Sequence, residues 1–136
     1  MNISEHITYE EATQSPTALR LKIINEPGVL ELNSMYGVAQ YCFEPWRVWY
    51  GKPIKINSFF HCKELNEAEK KKKNSQHTKG EAIDMSAGSK EENEKLFNWC
   101  KANLIYDQLI NEYDFSWVHI SFRAGQNRKE TLTVKW

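Results

Sequence analysis

Cysteine is scarce in this chain of 136 residues: Cys42, Cys62 and Cys100 are an odd set of three at wide spacing. Such a set builds no disulfide framework and lacks the paired spacing of a structural zinc knuckle, so all three read as ordinary thiols of a reduced protein. Net charge is missing too. The 18 basic and 18 acidic side chains cancel, which removes the global field that draws proteins to nucleic acid or membrane and leaves specificity to local chemistry. No run of about 18 apolar residues occurs, so no transmembrane segment is expected. The opening "MNISEHITYEEATQS" has no basic start followed by an apolar stretch. The expectation is a chain made in the cytoplasm with no signal peptide. Internal repeats and long linkers are absent as well.

What is present is apolar and aromatic. A hydrophobic fraction of 40%, with five Trp, six Tyr and six Phe, suits one packed globular domain over residues 1–136. Thr8 with Glu11, and Ser15 followed by Pro16, are helix-start signals in the first twenty residues. Leu32, Tyr36, Ala39 and Phe43 recur at helical spacing, and Pro45 ends or restarts that helix. "GKPIKINSF" alternates Ile54, Ile56 and Ser58 against Lys55 and Asn57, a strand after a turn at Gly51. "AIDMS" reads as another strand, and Ser89 with Glu92 as the capping box of a helix carrying Leu96, Cys100 and Leu104. "IYDQLI" and "WVHISF" form a hairpin through "NEYDFS", and "TLTVKW" is a last strand. The sum is an α+β domain, N-terminal helices packed on a small, mainly antiparallel sheet.

Strand alternation then sorts the polar residues. Asp84 shares a face with Ala82 and Ser86, opposite the core-facing Ile83 and Met85. In "WVHISF" His119 falls on the face of Trp117 and Ser121, opposite Val118 and Ile120. His77 precedes the Asp84 strand, and Gly80 has the backbone freedom to swing its imidazole over that face. Two imidazoles and a carboxylate are the ligand types of a catalytic zinc with an open fourth position. The same residues also suit a structural reading in which His77 caps a turn, Asp84 accepts from loop amides and His119 is a satisfied, half-buried ring. Trp117 shares the face of His119 and is a candidate substrate contact, whereas Trp46, Trp49 and Trp99 suit core or wall.

"SQHTKGEAID" resembles the Ser-x-His-x-x-Gly-x-Ala-x-Asp signature of the zinc D-alanyl-D-alanine carboxypeptidase family. That family includes phage L-alanyl-D-glutamate endopeptidases and has a hedgehog-like fold. "YDQLINEYDFSWVHISF" is similar to its second segment, "SEHITYEEATQS" to its N-terminal one, "GKPIKINS" to its central strand and "NRKETL" to its C-terminal one. The resemblance implies zinc held by His77, Asp84 and His119, with peptidoglycan stem peptides as substrates and cell-wall degradation, endolysin-like, as the setting. Such a chain would act at the wall after export or release by a lysis system. Glu112, at the end of a strand, is the resemblance's catalytic carboxylate, with Asp114 in the turn as runner-up. The position three before His119 is Ser116. Ser75 and Arg128 fall where the family meets substrate or shapes the rim, with Arg123 and Asn127 beside them.

Two departures stand out. Where the family reads Ser-Gly-Tyr-Arg, this chain has Ser58, Phe59, Phe60 and His61, so a forked, permanent cation is replaced by a ring that titrates near neutrality. If His61 serves catalysis as an imidazolium, activity depends on its acid form. A glycine-containing loop of the family is replaced after Asn66 by "EAEKKKKN", which is either a solvated loop or a contact for anionic wall polymer and stem-peptide carboxylates. A nucleic-acid role finds no aromatic platform beside that run. The competing function is a zinc-binding wall-binding or virion component of the same fold that has lost turnover.

Overall fold

The computed structural model describes residues 1–135. The last residue of "TLTVKW", Trp136, lies outside them. The N-terminal segment opens with a short antiparallel pair, β1 (Asn2–Ser4) and β2 (Ile7–Thr8). Helix α1 (Tyr9–Thr13) begins at Thr8, whose hydroxyl accepts from the Glu11 amide while Glu11 reaches back to the Thr8 amide. Helix α2 (Pro16–Leu21) begins at Ser15, with Pro16 in the first turn, where the N–H it lacks has no partner in any case.

Helix α3 (Val29–Val38) runs through a π-helical turn, Ala39–Phe43, into α4 (Glu44–Tyr50). Pro45 has no N–H to give the preceding turn. The Glu44 N–H reaches Ala39 O instead, a wider loop that inserts one extra residue. The inserted residue rotates the buried face, so Met35, Val38, Ala39, Cys42, Phe43 and Trp46 enter the core. Tyr36, assigned to that face from spacing alone, is exposed. Gly51 ends α4 with φ 74°, a left-handed cap natural to glycine.

Strand β3 (Lys55–Ser58), helix α5 (Lys63–Ala68), a 3-10 turn (Gln76–Lys79), β4 (Ala82–Ser86), helix α6 (Lys90–Asn103), β5 (Gln108–Glu112), β6 (Trp117–Ser121) and β7 (Glu130–Val134) complete the α+β fold. The main sheet has the order β3-β4-β6-β5-β7, antiparallel except for the β5–β7 pair. Ile56, Ile83, Met85, Val118, Ile120 and Leu109 turn one face of this sheet into the same buried cluster as Met35, Val38, Leu96 and Cys100. Helices cover that face, and the opposite face carries the polar rows. All three cysteines are free thiols, as their spacing suggested.

Candidate metal centre

Register places the polar residues in a row. Ser58 pairs with Asp84, Asp84 with His119, and His119 with Ile110 across four neighbouring strands. Directly opposed side chains on one face lie about 5 Å apart at Cβ, so Asp84 and His119 are brought together by pairing alone. His119 Nδ1 lies 2.9 Å from Asp84 Oδ1. The third member arrives from the 3-10 turn, with His77 Nε2 3.2 Å from Asp84 Oδ2.

The turn is held tightly. Ser75 Oγ accepts from the His77 amide at 3.3 Å, and Gly80 leaves the turn at φ +73°. A Cβ on Gly80 would sit 2.4 Å from Glu31 O and 2.8 Å from Met35 Cγ. Glycine is therefore required twice, by its backbone angle and by the close approach of α3. Ser75, a candidate substrate contact by resemblance, lines the cleft while its hydroxyl orients His77.

His77 donates from Nδ1 to the Phe59 carbonyl at 2.8 Å. That bond assigns Nδ1 as a donor and turns Nε2 toward Asp84, the arrangement of a metal-ligating histidine with an outer partner. The Phe59 ring itself is buried in the core, so only its backbone reaches the centre. His77, Asp84 and His119 each offer one ligand atom, and these atoms all lie within 4.8 Å of one another. Burial alone would raise the Asp84 carboxyl, yet His77 and His119 hold it below the usual carboxylate range. Burial alone would lower His77, yet Asp84 raises it. An ionised carboxylate between two imidazoles is a donor set that fits a divalent cation of zinc type.

Glu112 lies on the same face, opposite Trp117. The Trp117 indole N–H donates to Glu112 Oε2 at 2.8 Å, which orients the carboxylate and leaves Oε1 for chemistry. Both residues line the cleft with His77, Asp84 and His119, and the cleft encloses about 690 Å³. Asp114, the runner-up, is exposed and pairs with Lys90 on α6. It does not line the cleft.

His61 stacks on His77 with ring centroids 5.4 Å apart. Its Nε2 meets Ser58 Oγ at 2.9 Å, and its Nδ1 lies 3.6 Å from Glu69 Oε1. Burial, then the neighbouring His77, push this ring down to about 4. The acid form that a stand-in for the family's arginine would need is thereby disfavoured, where the sequence alone suggested a ring titrating near neutrality.

Arg128 lines the cleft and forks onto Asp107, Nε to Oδ1 at 2.8 Å and Nη2 to Oδ2 at 2.9 Å. Asp107 has a fully buried side chain and also accepts from Gln76 Nε2 at 3.0 Å. The Arg128 guanidinium holds its carboxyl down to about 2. Sequence reasoning missed Asp107, although a lone acid inside the strand-like run "IYDQLI" was its signal. It also missed Asn25, whose side chain spans Thr13 O, Phe60 O and the Cys62 amide and so secures the segment carrying Phe59 and His61.

No helix among the described residues is long and apolar enough to cross a membrane. No curated protein matches the chain. A family model described as Peptidase M15 matches residues 5–121. That span takes in the histidine-bearing turn, the aspartate strand and the last histidine strand together, and the chain belongs to the peptidase M15 family.

Proposed function

We propose that this protein is a zinc-dependent peptidase that hydrolyses peptide bonds in peptidoglycan stem peptides, as a D,D-carboxypeptidase or an endopeptidase. The observation that carries this reading is the convergence of His77, Asp84 and His119 on one point beside Glu112. The three ligand-type residues would hold the ion, with Phe59 O and Ser75 Oγ orienting His77. Bound zinc supplies a Lewis acid and a water whose pKa is lowered toward about 7.

The chain's own residues do the rest. Trp117 holds Oε2 of Glu112, so Oε1 takes the proton of the attacking water and returns it to the leaving amine nitrogen. Ile110, Trp117 and Val134 give the cleft an apolar wall against which a peptide can lie, and Arg128, fixed by Asp107, marks its rim. The protein would be made in the cytoplasm and act at the wall after export or release by a lysis system.

The second reading is a zinc-binding wall-binding or virion component without turnover. His61 in place of the family's arginine favours it, because a neutral ring stabilises a developing oxyanion less than a guanidinium does. Metal analysis of the purified protein, paired with product analysis on purified muropeptides, separates the two. Zinc with cleavage supports the peptidase, and zinc without cleavage supports the binder.

A further inference from the structure

The chain is neutral overall, yet its cleft is not. Six cations line it: Lys70, Lys71, Lys72, Lys79, Arg123 and Arg128. Arg123 faces Glu81 at 3.7 Å and Arg128 is forked onto Asp107, so both are occupied. The four lysines take part in no ion pair among the described residues. The acids lining the cleft with them are Asp84 and Glu112 of the centre and Glu81, which faces Arg123.

Three of these lysines sit on the segment between α5 and the 3-10 turn, and that segment is braced. The Lys70 amide donates to Glu67 O, the Lys71 amide to Asn66 O and the Ser75 amide to Lys72 O, at 3.0, 3.1 and 3.2 Å. The buried Asn66 adds a side-chain bond to Lys72 O at 2.8 Å. Its backbone is thus tied at four points, and Lys70, Lys71 and Lys72 line the cleft from this braced segment. His61, by contrast, turns both ring nitrogens inward, to Ser58 and Glu69. The ring lines the cleft but lies between these two partners, and the lysines are the cations without an ion-pair partner among the described residues.

Resting on the peptidase reading above, we propose that Lys71, flanked by Lys70 and Lys72, is the carboxylate-binding subsite of this cleft and selects substrates carrying a free carboxylate near the scissile bond. Lys71 is foremost because it is the middle one of the three that line the cleft, and its amide is tied to the O atom of the buried Asn66. The carboxylate has two sources in a stem peptide, the C-terminus or an internal glutamyl residue, and both present the same chemistry to an ammonium group.

The test uses zinc-loaded full-length protein in a Glu112→Gln background, so that ligand is not consumed. Calorimetry measures binding of a D-Ala-D-Ala-ended stem peptide as free acid, as its C-terminal amide, and with only its internal glutamyl carboxylate amidated. Lys71→Met should weaken the free acid about tenfold, as loss of one charge-assisted contact does. It should leave unchanged whichever amidated peptide lacks the carboxylate that Lys71 reads. Lys71→Arg should keep the preference. Lys73→Met is the control, since Lys73 lines only the neighbouring cavity. Equal binding of all three peptides by Lys71→Met and its parent overturns the proposal. So does an equal loss for all three, a matching loss in Lys73→Met, or binding of none. Hydrolysis is scored separately with Glu112 intact: discrimination by Lys71 without cleavage sinks the peptidase and keeps the subsite, while cleavage indifferent to Lys71 does the reverse.

Discussion

The floor of the cleft and its rim are built on different terms. On the floor, Asp84 and His119 face each other by strand register, and His77 is pinned by the Phe59 carbonyl and the Ser75 hydroxyl. Each side chain there is at most half-exposed. On the rim, Lys70, Lys71 and Lys72 are exposed, and the hairpin turn carries Tyr113, Asp114 and Phe115 at φ of 53°, 57° and 60°. Three successive non-glycine residues in that region are strained. They persist because Asn111 Oδ1 accepts from the Phe115 amide and Asn93 Nδ2 donates to Phe115 O. A floor fixed by register tolerates no slip, since one residue of shift would send Asp84 to the core face. The rim can change its charge while the sheet beneath keeps its geometry.

The sharpest way to break this contrast is to remove a floor residue. Asp84→Ala or His119→Ala should reduce bound zinc from about one ion per chain to near none, read by metal analysis of folded protein. Retention of zinc in both variants would mean that the floor is not the metal centre. Glu112→Gln should keep the zinc and lower kcat by about a thousandfold, because the amide preserves shape and cannot take the proton. Asp114→Asn, paired outward with Lys90, should leave kcat near that of the parent. If the two effects are exchanged, the assignment of the base is wrong.

Gly80→Ala probes how firmly the floor is held. A Cβ 2.4 Å from Glu31 O at φ +73° should cost about 2 kcal/mol or more, measured by denaturant unfolding. A neutral outcome would show that the turn shifts freely. Trp117→Phe keeps an aromatic ring and removes the N–H to Glu112, so kcat should fall about tenfold with zinc retained.

The smallest effect concerns pH. His61 sits at about 4 in the native protein against an ordinary 6.5. The unfolded chain therefore binds more protons between those values, and native stability declines as pH falls from about 6.5 toward 4. Ser58, Glu69, His77, Asp84 and Lys71 face this ring. His61→Asn should flatten that decline in denaturation of the metal-free protein at several pH values. An unchanged slope would show that His61 is not held neutral.

Much of the floor was legible in the sequence. The two-residue period of "AIDMS" and "WVHISF" assigned Asp84 and His119 to one face, and Gly80 marked the bend that brings His77 over it. The caps at Thr8, Ser15 and Ser89 were readable, because capping is a local matter of hydroxyl and amide, although only half of the Ser89 box forms: Glu92 turns its carboxylate to Tyr50 and Lys95 instead. Long-range bonds were not. Strand β5 begins at Gln108 rather than Ile105, since Asp107 is drawn to Arg128 and Gln76 and Ile105 is left exposed. The β1–β2 pair is tied to α4 by Glu44, which accepts from Ser4 Oγ at 2.6 Å and the His6 amide at 2.9 Å. Residues some forty positions apart leave no local signature. The role of Phe59 was hidden for another reason: its carbonyl, not its ring, serves the centre, and backbone function has no residue type.

Titration of metal-free protein with zinc while stem-peptide hydrolysis is followed tests the central claim most directly. The rate should rise in proportion to zinc up to about one equivalent and then level, and the Glu112→Gln protein should bind the same zinc with almost no rate. Full zinc occupancy without hydrolysis in the parent protein, or undiminished hydrolysis without Glu112, would contradict it.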